Sequence, residues 1–390
     1  MQQVCSIFSQ LLRFFPRTGF EAAVARHEGE KHAKGMTCWS QFVSLMFCHL
    51  GGARSLREII GGLAASEGKL RHLGVSTPPT RSTLAYANEH RPWQIYMDVF
   101  QQLLTTCQRD ARQAKRRFRF RHPLVSLDST VIPVCLSMFD WAKYVKTKGA
   151  VKLHVVLNHD GYLPQYAVIS DGKTADVKVA RQMEFAPGTI VVMDRGYEHH
   201  AWWRQLSMQG VYFVTRLKDS TAYTILSRRE VPSDGIILRD EEIMLKSEDG
   251  HAEPMRLRRI EVWVEGVEGK HDTLVFVSNH PKLAASTIAA IYKDRWQIEL
   301  FFKAIKQSLR IKTFIGTSEN AVHIQIWTAL IAVLLVRYLQ LRSSWDWSLS
   351  NLFALLRQQL FVYRDLWTWL NNPLCPPVEL ESDQLSLELT

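Results

Sequence analysis

Two runs of aliphatic residues each lead straight into an aspartate: LVSLD at 124–128 and TIVVMD at 189–194. Short runs of this kind read as buried strands. A carboxylate beside a core strand is costly to ionise without a compensating charge. A divalent cation supplies one; so does Arg195 beside Asp194, while Asp128 could equally cap a turn with Ser129 or Thr130. Further runs at 151–157 and 165–169 flank the turn NHDGY, and 211–217 adds another strand. Strand, hairpin, strand, helix, strand is an α/β pattern.

The stretch 292–306, YKDRWQIELFFKAIK, has helical periodicity. At about 100° per residue, Tyr292, Arg295, Glu299 and Lys306 fall within an arc of roughly 60°. Ile291, Ile298, Phe301, Phe302, Ile305 and Leu309 gather on another side, as on a helix packed through one stripe. An acid flanked by an arginine, a lysine and a tyrosine hydroxyl suits a site that holds a metal and grips phosphate oxygens. Arg295 and Glu299, at i,i+4, would also serve as a surface ion pair worth ~0.3 to 0.5 kcal/mol.

The spacing Y-x2-R-x3-E-x6-K, with DRGY at 194–197, resembles the signature of the IS-four family of bacterial insertion-sequence transposases, a branch of the DDE transposases. The likeness spans about 120–310. It implies a ribonuclease-H-like α/β catalytic domain with a β-rich insertion, preceded by a helical DNA-binding domain and followed by C-terminal helices. It further implies that Asp128, Asp194 and Glu299 are the catalytic acids and hold two Mg2+, for which Mn2+ can substitute. Tyr292, Arg295 and Lys306 would then grip DNA phosphates. The implied partners are transposon-end and target DNA and a second copy of the chain in a synaptic homodimer, in the bacterial cytoplasm and on the nucleoid. The long gap between Asp194 and Glu299 matches the family's β insertion, whose clearest strands here are MRLRRIEVWVEG and HDTLVFVSN. In the branch that makes hairpin ends, an insertion aromatic stacks a flipped base. Trp263 matches that residue by type alone, and core packing is the better-supported reading of it.

Charge points the same way. Residues 1–122 hold 18 Lys+Arg against 8 Asp+Glu, which accounts for the whole net charge of +10. A basic segment on a neutral body is the footprint of a polyanion partner. RDARQAKRRFRFR at 109–121 concentrates it, making Arg116, Arg117 and Arg119 candidate DNA contacts; a solvated linker is the alternative. Before it, helices are expected at 6–15, 40–50, 55–63 and from 82. The pattern HEGEKHAKGMTCWSQFVSLMF followed by GARSLREI resembles the N-terminal region of one group within the same family, associated there with end binding. Trp39, Arg54, Arg57 and Arg81 are candidates, with packing and solvation as their alternatives.

The expected division is 1–105 helical DNA-binding domain, 106–122 basic linker, 123–341 catalytic domain with insertion 220–279, and 342–390 helical region and tail, with helices at 323–341 and 348–370. Six scattered cysteines lack metal-ligand spacing and read as reduced core residues. IQIWTALIAVLLV at 324–336 is shorter than the ~20 apolar residues of a bilayer span and reads as a core helix. No signal peptide is expected, since Arg13 and Arg17 interrupt the N-terminal pattern without a cleavage site. Two rivals stay open: a metal-dependent nuclease that does not join strands, and a non-catalytic DNA-binding regulator of transposase descent.

Overall fold

A computed structural model describes residues 5–31, 33, 35–111, 117–134, 143–145, 148–231, 235–246, 254–265, 271–309 and 315–374. Six helices come first: α1 (Ile7–Leu12), α2 (Arg17–Arg26), α3 (Cys38–Gly51), α4 (Leu56–Ala64), α5 (Arg81–His90) and α6 (Gln94–Ala111). Ser6, Thr37, Ser55 and Thr80 cap four of them, each accepting a backbone N–H three residues on. Gly52 ends α3 at φ 75°, a left-handed conformation open to glycine at little cost.

The sheet follows: β1 (Leu124–Val134), β2 (Lys143–Val145), β3 (Lys148–Asn158), β4 (Leu163–Asp171), α7 (Asp176–Ala180), β5 (Ile190–Met193), α8 (His200–Met208) and β6 (Tyr212–Arg216). β1 pairs antiparallel with β3 and parallel with β5, β3 pairs antiparallel with β4, and β5 pairs parallel with β6. The order β4-β3-β1-β5-β6, antiparallel on one side of β1 and parallel on the other, is the ribonuclease-H-like arrangement.

The insertion strands β7 (Tyr223–Arg228), β8 (Ile237–Leu245), β9 (Met255–Glu265) and β10 (His271–Ser278) do not form a separate layer. β10 pairs antiparallel with β6, so the meander extends the same sheet. Two of the three arginines of MRLRR are buried there as ion pairs, Arg258 with Asp240 and Arg259 with Glu241 at 2.8 Å, while Arg256 is exposed.

Helices α9 (Ala285–Asp294), α10 (Trp296–Leu309), α11 (Glu319–Arg342), α12 (Leu349–Gln359) and α13 (Leu366–Asn371) complete the chain. The strands' alternation divides the core. Val125, Leu127, Val191 and Phe213 face Trp202, Trp203 and Leu206 of α8, whereas Leu124, Ile190, Val192 and Val214 face Ile288 and Ile291 of α9. A third cluster joins the outer side of β3, α10 and α11 to the N-terminal helices and to α12 and α13. α11 is long and apolar enough to cross a membrane by length and composition, yet it is buried inside this cluster as a core helix.

Three local expectations change. The stretch 292–306 is two helices, not one: the ladder slips at Arg295, whose N–H is shared between the Ile291 and Tyr292 carbonyls. β1 does not end at Asp128, because β3 pairs with it as far as Val134. The expected helix at 348–370 is divided into α12 and α13, with Asp365 capping the second.

Candidate active site

Register brings the first two acids together. Leu127 of β1 lies beside Met193 of β5, so the next positions along these parallel strands are Asp128 and Asp194. Asp128 sits where its parallel neighbour runs out, and Asp194 is the first residue past β5. The Asp194 carboxylate folds back to accept the Gly196 N–H at 2.8 Å. A Cβ at 196 would stand 2.9 Å from that carboxylate oxygen, so a side chain there would push the Asp194 carboxylate from this position. The Thr215 hydroxyl of β6 donates to the Asp194 carbonyl at 3.0 Å and anchors the turn from the other side.

Glu299, on the first turn of α10, is brought to the same place by Arg295. One guanidinium donates to Asp128 Oδ2 and to Glu299 Oε1, both at 3.0 Å. Burial pushes the Asp128 carboxyl up to about 6; Arg295 and the Ser129 N–H oppose this, while the Asp194 and Glu299 carboxylates add to it. Three carboxylates therefore share one field. Tyr292, near the end of α9, packs against Phe276 with the rings tilted by 36° and their centroids 4.6 Å apart. Burial raises its phenol, against the pull of Arg295 and Arg216. Lys306 is half-exposed, further along α10 from Glu299.

The basic segment is less uniform than its sequence. Arg119 is exposed. Arg117 is ion-paired with Asp294, whose side chain is only 1% exposed. Phe118 and Phe120 stack at 5.3 Å and pack against the core between β6 and α9. Arg116 lies outside the described residues. Trp39 is buried and donates its indole N–H to the Leu73 carbonyl at 2.7 Å; Arg54, Arg57 and Arg81 are exposed, and Trp263 is half-buried in β9.

Two features escape sequence reading. Asp294 also accepts from His159 Nδ1 at 2.6 Å and from the Tyr162 hydroxyl at 3.0 Å, while His159 Nε2 accepts from Ser126 at 2.8 Å. This buried chain ties β1, two residues before Asp128, to the residue before Arg295. Arg216 ends β6 next to the Thr215 anchor and close to Tyr292, with a buried Nε that makes no hydrogen bond. No fixed spacing links these residues to the acids.

The donor set is carboxylate oxygen throughout, which suits a hard cation such as Mg2+. Burial first, and the neighbouring Asp194 and Glu299 carboxylates second, disfavour the charge on Asp128, and a divalent ion would relieve both. As it stands, no group of three His, Cys, Asp or Glu side chains among the described residues is gathered closely enough to hold an ion. The Arg295 guanidinium lies between two of the acids.

The strand order, with Asp128 inside β1 level with the end of β5 and Asp194 just past β5, defines a ribonuclease-H-like protein. The family described as "Transposase DDE domain" matches residues 119–335, and a "Domain of unknown function (DUF4372)" matches residues 3–76. A putative transposase of Sinorhizobium fredii is 34% identical over 66% of this chain and 71% of its own length. A probable transposase for an insertion sequence element of Geobacillus stearothermophilus is 30% identical over 66% and 67%. The chain belongs to the DDE transposases of insertion sequences. Among solved structures, a piggyBac transposase synaptic complex with hairpin DNA aligns with a TM-score of 0.43 and 9% identity, covering 94% of this chain and 81% of that one.

Proposed function

We propose that this DNA transposase cuts at the terminal inverted repeats of its insertion sequence and joins the freed ends to target DNA by metal-dependent phosphoryl transfer. The observation that supports this most is the Arg295 bridge between Asp128 and Glu299, with Asp194 just past the adjacent strand and in the field of Asp128. These three acids would hold two Mg2+. When bound, the ions activate the attacking oxygen and stabilise the leaving one. Arg295 holds Asp128 and Glu299 in place, and with metal bound these acids would no longer need its charge. Its guanidinium is then available for a bidentate grip on a phosphate. Tyr292 beside Arg295, Arg216 near Tyr292 and Lys306 further along α10 from Glu299 would orient the strand.

The helical region 1–105 and the basic linker 106–122 are read as DNA-binding, 123–341 as the catalytic domain with insertion 220–279, and 342–390 as its C-terminal support. The reading implies a homodimer that pairs two ends, at work on nucleoid DNA in the cytoplasm. The two rivals, a nuclease without joining and a non-catalytic regulator, lack the support that the transposase relatives give.

The test incubates purified protein with DNA bearing the element's ends and a supercoiled target, with and without Mg2+. Nicks at the element boundary and joined products, both requiring the metal, are expected. Cleavage without joining would favour the nuclease, and binding without cleavage the regulator.

A further inference from the structure

Within one turn of Glu299, the side of α10 becomes the wall of a second cavity. A groove of about 540 Å3 lies between α10, α11 and the start of α12. Lys303, Gln307, Arg337, Gln340, Ser348 and Ser350 give it its polar lining, and among the described residues no carboxylate contributes. Leu300, 45% exposed, forms part of its apolar floor.

The charge in this groove is not neutralised from within. Arg337 donates Nε–H to the Gly161 carbonyl at 3.1 Å and Nη1 to the Gln340 side chain, and its guanidinium lies 5.4 Å from the Tyr162 ring centroid. All three partners are uncharged, and burial pushes the pKa of Arg337 down, the mark of a cation lacking an anion. Lys303 is exposed at the opposite wall. α12, 11 residues long and capped by Ser348, points the positive end of its dipole at the same space. Two cations and a helix N-terminus thus converge on a polar groove that begins one turn beyond a candidate metal ligand.

We infer that this groove binds the phosphodiester backbone of DNA continuing past the scissile position, so that one strand is held first by the face of α10 that carries Glu299 and then by its flank. The inference rests on the proposed transposase reaction for its choice of anion. A DNA strand fits because Lys303, on the groove wall, stands one helical turn from Glu299 on the same helix, within the reach of one extended backbone, whereas a small anion would need no such neighbour.

The test places opposite charges at an exposed lip. Ser350 is exposed; its hydroxyl lies 3.2 Å from that of Ser348, so both variants lose this contact alike while Ser348 keeps its bond from the Asn351 N–H. Ser350→Glu and Ser350→Lys are compared with wild type by fluorescence anisotropy on a duplex of arbitrary sequence over a range of salt. Ser350→Glu is expected to weaken binding and Ser350→Lys to tighten it, each by roughly two- to fivefold at low salt, and both differences shrink as salt rises. Lys303→Gln lowers the salt slope by about 0.9, one phosphate contact. Variants that move in the same direction, or not at all, overturn the inference. So does inorganic phosphate that abolishes the difference between them at constant ionic strength, which would make the groove a small-anion site. Mg2+-dependent nicking of end DNA is read on the same samples: variants that show these binding shifts beside a wild type that never nicks contradict the reaction, not the groove.

Discussion

At the residue scale, Arg295 competes with the cation that the acids would hold. Its guanidinium compensates Asp128 and Glu299 at 3.0 Å each, so ion binding has to displace it. Replacing it with neutral glutamine leaves three carboxylates with their repulsion unrelieved. Arg295→Gln is therefore expected to melt at a lower temperature than wild type without metal and to gain more from added Mn2+ in a thermal-shift series. An equal gain in both proteins would mean that Arg295 and the ion do not share a place. A second residue sets a pH limit. His154, its side chain 1% exposed, is held by burial at about 4, below its ordinary 6.5, and buried His280 is also at about 4. Neutral in the fold and protonated when unfolded, each contributes stability that is complete above pH 6.5 and is lost as the pH falls to about 4. Asp128 has the opposite sign: raised to about 6, it takes up a proton in the folded state first and offsets part of that loss. His154→Gln should flatten the decline in stability between pH 6.5 and 4 by about 1.4 kcal/mol per pH unit. Denaturant titrations at several pH values measure this, and parallel curves would contradict it.

At the element scale, the segment before β1 separates two roles that its composition merges. Arg117 spends its charge on Asp294, whereas Arg119 projects outward between two packed phenylalanines. Arg119→Ala is expected to lower the salt slope of DNA binding by about 0.9 with little change in melting temperature. Arg117→Ala should instead destabilise the fold by about 1 to 3 kcal/mol, because Asp294 keeps only His159 and Tyr162. Identical salt slopes for the two variants would remove this distinction. The same segment shows what a sequence discloses. Strands β3, β4, β5 and β6 are legible because each is a short aliphatic run between turn residues. Asp128, Asp194 and Glu299 are legible because acids next to such runs, and at fixed spacing from Arg295, are chemically conspicuous. The chain Ser126–His159–Asp294 is not, since its members meet only after β1, the hairpin turn and α9 have assembled. The slip at Arg295 is equally hidden: helical periodicity passes smoothly through it, and only the shared N–H reveals the break.

At the scale of the whole molecule, one sheet carries both the acids and the insertion, and one hydrophobic cluster joins the first and last helices around α11. Composition locates the basic charge in residues 1–122, but not the apolar surface by which α3, α5 and α6 lie on α11. The arrangement fixes the acids from three directions, through β1, through β5 and through the α9–α10 junction, while the exposed arginines of the N-terminal helices lie outside that frame. Cutting and DNA binding should therefore be separable. The most direct measurement compares Asp128→Asn, Asp194→Asn and Glu299→Gln with wild type on end DNA, reading nicking with Mg2+ and gel-shift affinity on the same preparations. The account predicts that each neutral, near-isosteric change abolishes nicking and leaves affinity close to wild type, since each removes a metal ligand and no DNA contact. An Asp194→Asn protein that nicks at near the wild-type rate would contradict it.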